Sequence, residues 1–182
     1  MIRFRTARTS EMTFSLWAAI GMLGLFAMVP WRTGAGREVA DSSKSDVERN
    51  AALARRYFEE VWNRGNVDAL DELLAPNYVN HTPSTPNPPP GPQGLKPIVR
   101  AIRQAFPDLH YEIKDVIATP DSVAIRVVMT GTHRGDLFGV APTGRTIKVD
   151  QVNIEHIERG RIVEHWRVTD ELSLMRQIGV VK

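Results

Sequence analysis

The chain has 182 residues, which is enough for one domain with a hydrophobic core of its own. It contains no cysteine, which excludes disulfides, thiolate nucleophiles and cysteine metal sites. The formal net charge is +2, but five basic and two acidic side chains stand in residues 1–40, which leaves 18 basic and 19 acidic ones in residues 41–182. Because nucleic-acid binding requires a basic surface that neutralises phosphates, we expect no nucleic-acid partner.

The first predicted element is an apolar segment over residues 12–31, which holds no charged side chain and follows Arg3, Arg5 and Arg8. Twenty helical residues span roughly 30 Å, the thickness of a bilayer core, and the arginines favour a cytoplasmic N-terminus. We therefore predict a signal anchor or a cleaved signal peptide over residues 1–31, with an ordinary core helix or a misassigned start as the third alternative. Either of the first two gives a membrane-anchored or exported protein on the periplasmic or extracellular side, which contacts the membrane through this segment.

Residues 32–44 are small, polar and charged, which is typical of a linker, and the folded domain is predicted over residues 45–182. Three amphipathic helices are predicted at its start, in residues 45–65, 66–76 and 95–107, because apolar residues recur there at helical spacing. The capping-box pair of Ser45 and Glu48 favours a start of the first helix at Ser45. The proline-rich residues 83–92 are interpreted as a rigid surface connector rather than a ligand for proline-binding domains.

After Pro107 the hydrophobic period changes to two, which is typical of strands. The predicted strands are a short strand or extended entry at 78–81 and four long strands at 109–114, 123–133, 146–158 and 161–168. Arg159 and Gly160 form a two-residue hairpin turn, and a short helix follows Asp170 and ends at Gly179. This order predicts an α+β fold in which three helices pack on a curved, cone-shaped antiparallel sheet, with a cavity in its concave face.

The hairpin turn also predicts which side chains of the last two strands share a face. Counted outward from a two-residue turn, Asn153 opposes Trp166, and directly opposed residues lie on one side of the sheet. Asn153, Trp166 and, by period two, Asp170 would then line the cavity, and His156 and His165 would face away from it. A β-bulge before Asp170 would reverse the side on which it lies.

Several short motifs, taken together and in order, resemble the SnoaL-like polyketide cyclase family, also called ester cyclases, within the nuclear-transport-factor-2-like superfamily. The motifs are Tyr57-Phe58-x-x-Val61-Trp62-Asn63-x-Gly65, Tyr78-Val79-Asn80-His81, Phe106-Pro107-Asp108, Gly131-Thr132-His133-x-Gly135, Gly139-Val140-x-Pro142-Thr143-Gly144 and the block from Gly160 to Asp170. The resemblance covers about residues 47–179 and implies the α+β cone described above.

The resemblance also implies a chemistry. The founding cyclases close a ring in a polyketide methyl ester by an intramolecular aldol reaction without metal or cofactor, and an acidic side chain moves the proton next to the carbonyl. In the family this acid directly follows the tryptophan of the last block. This chain has Arg167 at that position. A guanidinium stays charged and cannot act as the base. The second acid of the family is present as Asp170, its histidine corresponds to Asn153, and its asparagine corresponds to Asn80.

Asp170 is therefore the candidate catalytic acid/base, with an N-cap of the last helix as the alternative interpretation. The candidate substrate-binding residues are Trp62, Asn80, His81, His133, Asn153 and Trp166. The asparagines are equally compatible with turns, and the two histidines with the surface or the core. We expect no metal, because the predicted register places His156 and His165 apart from Glu164.

Two hypotheses of function remain open. The first is a cofactor-independent cyclase, isomerase or hydrolase that acts on a small apolar carbonyl compound. The second is a non-catalytic domain of the same fold that binds a small apolar molecule. Arg167 favours the second hypothesis, unless its side chain points out of the cavity or pairs with a substrate carboxylate. A homodimer through the outer face of the sheet is an expectation from the fold alone.

Overall fold

The computed structural model describes residues 34–182, with side chains from residue 41 onward. Its elements are helix α1 (Gly34–Arg56), a π-helical turn (Tyr57–Asn63), a 3-10 turn (Val67–Ala69), helix α2 (Leu70–Leu73), strand β1 (Leu74–Asn80), helix α3 (Pro92–Ala105), strands β2 (His110–Ala118), β3 (Ser122–Thr132), β4 (Thr146–Glu158) and β5 (Arg161–Thr169), and helix α4 (Glu171–Ile178). The predicted signal anchor or signal peptide lies outside the described residues. Among the helices of residues 34–182, none combines the length and the hydropathy that crossing a membrane requires.

Helix α1 begins at Gly34, well before the capping box, so the predicted start at Ser45 is wrong. The Ser45 hydroxyl does not cap a helix end, because it lies inside the helix and accepts a hydrogen bond from Arg49 Nη1 at 3.1 Å. Helical structure therefore extends into the predicted linker. The division of the chain into a linker and a domain at residue 45 stays a prediction.

At its C-terminal end α1 widens into the π-helical turn, which places two aromatic rings on the inner side of the fold. The N–H of Arg64 donates to the carbonyl of Glu59 at 3.1 Å, the five-residue spacing of a π-helix. Such a turn brings residues five apart to one side, and the rings of Tyr57 and Trp62 pack edge to face with centroids 6.4 Å apart. Gly65 ends the turn with φ of +75°, a conformation that side chains with a Cβ rarely adopt.

The strands form one five-stranded sheet in the order β1-β5-β4-β3-β2. The α+β class is confirmed, with a curved sheet packed by helices. The four long strands are antiparallel as predicted, whereas β1 pairs with β5 in parallel. A parallel pair needs a long crossover connection, and the chain between β1 and β5 supplies one through α3 and three other strands.

Strands β3 and β4 pair without interruption, so their inward positions follow the alternation of the sequence. On β3 the inward side chains are the apolar residues Val123, Ile125, Val127 and Met129. On β4 three buried polar residues lie directly opposite the first three of these, and they are Glu155, Asn153 and Gln151. Since buried polar groups cost free energy unless they are hydrogen-bonded, this polar row is the part of the inner face in which we look for a site.

Candidate active site

A β-bulge at Val163 decides which side chains of β5 enter the interior. Near the turn Ile157 pairs with Ile162 as predicted, but the next pair on β4 and β5 is His156 with Glu164, so Val163 is an extra residue on β5. A bulge of this kind shifts every later residue of its strand to the opposite face. Beyond it, Asn153 pairs with Arg167 rather than with Trp166.

The predicted faces of β5 are therefore wrong. Trp166 lies on the outer face of the sheet, where its ring stacks on His81 with centroids 4.3 Å apart and an angle of 8° between the planes. His81 also lies outside, with Nε2 3.2 Å from the Glu164 carboxylate. His156 faces outward as predicted, but His165 and Arg167 turn inward. The bulge thus replaces a tryptophan on the inner face with a histidine and an arginine.

A cavity of about 500 Å³ lies between the inner face of the sheet, α3 and α4. Its apolar lining residues are Trp62, Pro83, Ile102, Phe106, Tyr111, Met129, Leu137, Phe138, Val140, Leu174 and Met175, and its polar ones are Thr82, Ser84, Gln151, Arg167, Thr169 and Glu171. At its floor a narrow extension of about 10 Å³ is lined by Asn80, Asn153 and His165, and Arg167 lines both spaces. That volume is about what one water molecule needs, so only the tip of a ligand can enter the extension.

A second cavity of about 290 Å³ lies beneath the proline-rich loop, between β1 and α3. It is lined by Tyr78, Asn80 and several prolines of the loop. We place the candidate site in the larger cavity, because the buried polar side chains of β4 and β5 converge only there.

Glu155 and His165 form a buried pair across β4 and β5. Both carboxylate oxygens of Glu155 lie 3.0 Å from Nδ1 of His165, and the two side chains are 1% and 7% exposed. With Nδ1 donating to the carboxylate, the neutral ring carries its lone pair on Nε2. Nε2 has no hydrogen-bond partner within residues 41–182, and the ring lines the floor of the cavity. The pair therefore leaves Nε2 of His165, a residue that lines the narrow extension, without a hydrogen-bond partner in the described part of the chain.

A second polar chain runs along the same inner face. Thr169 Oγ1 donates to Oε1 of Gln151 at 3.1 Å, and Nε2 of Gln151 donates to Oδ1 of Asn153 at 2.7 Å. Nδ2 of Asn153 is buried and has no partner in the described part of the chain. Because an unpaired buried donor is costly, this amide has a hydrogen bond available for a ligand oxygen in the extension.

Arg167 stands where the extension opens into the larger cavity. The loop after β1 holds it in place: its backbone N–H donates to Oγ1 of Thr82 at 2.7 Å, and Nη2 donates to Oγ of Ser84 at 3.1 Å. Its nearest carboxylate is Glu171, 3.9 Å away and 69% exposed, which is beyond hydrogen-bond distance. The guanidinium is thus fixed in position and largely unpaired.

Three tyrosines surround the polar floor and stay protonated at neutral pH. Burial raises the pKa of Tyr57 far above its usual range, and the negative charge of Glu155 adds to the rise. Burial likewise raises the pKa of Tyr78, whose hydroxyl has no hydrogen-bond partner among the described residues. Burial raises the pKa of Tyr111 to about 12, and the positive charge of Arg167 opposes that rise. The ring of Tyr111 lines the cavity, whereas its hydroxyl bonds to the sulfur of Met129.

Comparisons with known proteins agree with this geometry. The family model described as SnoaL-like polyketide cyclase matches residues 52–178. The chain belongs to this family. Among relatives, the aklanonic acid methyl ester cyclase AcmA of Streptomyces galilaeus is 28% identical over 69% of this chain and 88% of its own length. The nogalonic acid methyl ester cyclase of Streptomyces nogalater is 29% identical over 65% of this chain and 90% of its own length.

Solved structures give the same result. TsrD from Streptomyces laurentii superposes with a TM-score of 0.67 at 26% identity and covers 76% of this chain and 98% of that one. The putative polyketide cyclase IdmH from Streptomyces antibioticus has a TM-score of 0.62 at 33% identity and covers 71% of this chain and 98% of that one. The SnoaL-like family therefore accounts for the α+β cone.

The remaining substrate-binding candidates lie either at a cavity wall or in the core of the domain. Trp62 and Asn80 line cavity walls, although Oδ1 of Asn80 also accepts from the backbone N–H of Thr82 at 3.0 Å in a local turn. Asn80 therefore forms the turn and lines a cavity, and its role as a ligand donor stays a prediction. His133 is fully buried, with Nδ1 3.1 Å from Oγ1 of Thr143 and its ring against Phe106, and it does not line the cavity. His133 is thus buried in the core, and its Nε2 has no hydrogen-bond partner among the described residues. Its role in substrate binding stays a prediction.

Asp170 is the N-cap of α4, which was the alternative interpretation of this residue. It is exposed and caps α4, with Oδ1 accepting from the backbone N–H of Ser173 at 3.0 Å, so its predicted place beside Trp166 in the cavity is wrong. Its catalytic role stays a prediction, tested below. Within residues 34–182 no group of three or more acidic, histidine or cysteine side chains is arranged to hold a metal ion.

Sequence reasoning did not single out Glu155, which faces inward by the same alternation as Asn153, and it placed His165 and Arg167 on the wrong face. The signal that could have found them is the pair Ile162-Val163, two adjacent apolar residues at which the alternation of β5 breaks. Ile162 is fully buried and Val163 is only half-buried, as expected if Val163 is the extra residue of the bulge. Two apolar neighbours within a strand are common, however, so this signal alone does not locate a bulge.

Proposed function

We propose that the protein catalyses proton transfer at the carbon next to a carbonyl group of a small, mostly apolar polyketide-like compound, in a ring-closing reaction. The observation that carries the proposal is the Glu155–His165 pair on the cavity floor. A neutral imidazole that is oriented by a carboxylate at Nδ1 can accept a proton at Nε2, as a general base must. His165 thus takes the role that Arg167 cannot perform at the family's acid/base position.

The steps balance without an oxidant or a reductant. Nε2 of His165 takes a proton from the carbon, and the electron pair of the C–H bond moves to the carbonyl oxygen, which becomes an enolate. Nδ2 of Asn153 donates to that oxygen from a preorganised position. The enolate carbon bonds to a second carbonyl carbon of the same molecule, and the alkoxide formed there takes the proton back from His165. Every atom of the substrate is retained in the product.

The surroundings of the pair support this assignment. The cavity walls are mostly apolar, which suits a polyketide-like body and keeps water away from the enolate. The ring-closing reaction is suggested by the relatives, which are named methyl ester cyclases. No cofactor is needed for a proton transfer between carbon and an imidazole.

A second candidate function is ligand binding without catalysis. It is favoured by Arg167, which lines the cavity and stands where the sequence resemblance implies an acid. The two candidates differ in one respect that an experiment can separate. A binding domain holds the ligand but leaves the hydrogens next to its carbonyl unexchanged.

The test is solvent exchange in D2O, followed by proton NMR, at the carbon next to the ketone of 3-benzoylpropionate and of its methyl ester. We expect the protein to accelerate the exchange and His165→Gln to lower its contribution by about 10²-fold or more. His156→Gln is the matched control, because that histidine also bonds to a glutamate but lies on the outer face. Asp170→Asn tests the sequence prediction while it keeps a capping side chain.

Each outcome decides between the assignments. Exchange that is lost in His165→Gln and retained in His156→Gln supports the proposal. Loss in Asp170→Asn without loss in His165→Gln would move the base to Asp170. No exchange above the buffer rate with the unmodified protein would overturn catalysis on this ligand class and leave the binding function.

A further inference from the structure

We propose that the cavity selects ligands with a free carboxylate, which Arg167 binds, over the corresponding methyl esters. The inference rests on the proposed function in taking the same cavity as the ligand site, but it concerns binding and does not require turnover. It names the substrate class as a small, mostly apolar carbonyl compound with one carboxylate group.

The first support is the number of donors that Arg167 leaves unused. A guanidinium has five N–H donors, and within residues 41–182 the side chain of Arg167 makes one hydrogen bond, to Ser84. The side chain is 19% exposed, so bulk water does not satisfy the rest in full. A planar carboxylate matches two parallel N–H groups of a guanidinium and forms a bidentate pair.

Arg126 is an arginine of the same sheet whose side-chain donors are paired with carboxylates. Arg126 stands on the outer face of β3 and donates to Asp115 at 2.7 Å and to Asp150 at 3.2 Å. Arg167, on the inner face of β5, has only the exposed Glu171 at 3.9 Å. Glu155 is the inward carboxylate on the floor, and both of its oxygens lie against His165 and not within 4.0 Å of the guanidinium.

The second support is the charge distribution of the cavity. Arg167 is the one cation among the described residues that line the larger cavity, and the one anion there is Glu171, whose side chain is 69% exposed and 3.9 Å from the guanidinium. Most of the other walls are apolar. A ligand that satisfies these walls has an apolar body and a single anionic group. Because Arg167 also borders the narrow extension, a carboxylate bound to it leaves a neighbouring carbonyl near Asn153 and His165.

The third support is the neutral ester as a comparison ligand. The relatives AcmA and nogalonic acid methyl ester cyclase are named for methyl esters. An arginine attracts a carboxylate and gains no charge pairing from the corresponding ester. Arg167 therefore favours the acid over the ester in this cavity.

The experiment measures the dissociation constants of 3-benzoylpropionate and its methyl ester by isothermal titration calorimetry at neutral pH. We expect the free acid to bind about 10- to 100-fold more tightly than the ester, the range for a hydrogen-bonded charged pair. Arg167→Met should remove this preference through loss of acid affinity, with the ester affinity retained. Arg167→Lys, which keeps the charge and loses the planar fork, should retain part of the preference.

Arg126→Met is the control, because it removes an arginine of the same sheet that lies outside the cavity. Circular dichroism checks that each variant is folded. Equal binding of acid and ester, tighter binding of the ester, binding of neither, or a preference that survives in Arg167→Met would overturn the inference. A preference for the acid without hydrogen exchange would uphold it and remove only the catalytic proposal, whereas exchange without the preference would do the reverse.

Discussion

Two glutamate–histidine pairs lie on opposite faces of β4 and β5 and have nearly the same geometry. On the inner face Nδ1 of His165 is 3.0 Å from Glu155, and on the outer face Nδ1 of His156 is 3.0 Å from Glu164. The inner side chains are 1% and 7% exposed, and the outer ones are 39% and 45% exposed. The difference between the pairs is therefore their surroundings, which determine what each bond contributes to stability and chemistry.

On the outer face the polar groups satisfy one another. Glu164 bonds to His81 through one oxygen and to His156 through the other, and both histidine rings pack against Trp166. On the inner face the bonds of His165 are made through Nδ1, Nδ2 of Asn153 has no partner in the described part of the chain, and the guanidinium of Arg167 makes one hydrogen bond, to Ser84. One strand thus presents a self-contained surface cluster on one side and a set of groups open to a ligand on the other.

The largest expected effect comes from removing each carboxylate in turn. Glu155→Ala should lower the free energy of unfolding by about 3 kcal/mol, because it leaves His165 buried without its partner and opens a void. Glu164→Ala should leave the unfolding midpoint close to that of the unmodified protein, because its partners are exposed to water. Urea denaturation followed by circular dichroism measures both. Equal losses in the two variants would mean that the faces do not differ as described.

A smaller effect is expected from pH on the outer pair. Hydrogen bonds from His81 and His156 lower the pKa of Glu164 from its ordinary value of 4.5. Because the folded-state pKa is the lower one, these bonds contribute stability above pH 4.5 that is lost as the pH falls through the depressed value. The stability difference between the unmodified protein and Glu164→Gln should therefore shrink between about pH 6 and about pH 3. A difference that grows toward low pH would contradict this sign.

Much of the fold was predictable from local patterns. Period-two alternation identified β3 and β4, the Arg159-Gly160 turn set the first pairs of the hairpin, and Asp170 carried the signal of an N-cap. The helix start at Ser45 failed because a capping box marks a possible start and cannot exclude a helix that continues through it. Local signals thus located most elements but not all of their boundaries. The predicted second helix over residues 66–76 was wrong at its end, because β1 already begins at Leu74, and β2 continues to Ala118, past the predicted end at residue 114.

The site was less predictable than the fold. The face on which a strand side chain lies is predicted by counting residues from the turn, and one extra residue invalidates the count for the rest of the strand. The sequence analysis had singled out His165, Trp166 and Arg167. One extra residue at Val163 placed all three on the face opposite to the predicted one. Glu155 faces inward by the same alternation that placed Asn153, and its importance became visible only once His165 was found opposite it. The local sequence indicates a bulge only weakly, because its position is also determined by tertiary packing. The catalytic candidates on β5 could therefore be identified only from the structure.

The most direct measurement of the central claim, that the bulge turns His165 and Arg167 inward, is cysteine reactivity. Because the chain has no cysteine, His165→Cys, Arg167→Cys and Val168→Cys each introduce one thiol, whose rate with a disulfide reagent is compared in folded and denatured protein. In the structure His165 is 6% and Val168 is 75% exposed. We expect fast reaction at position 168 and slow reaction at 165 and 167 in the folded protein. Fast reaction at 165 and 167 with slow reaction at 168 would show that β5 has no bulge and would contradict the site.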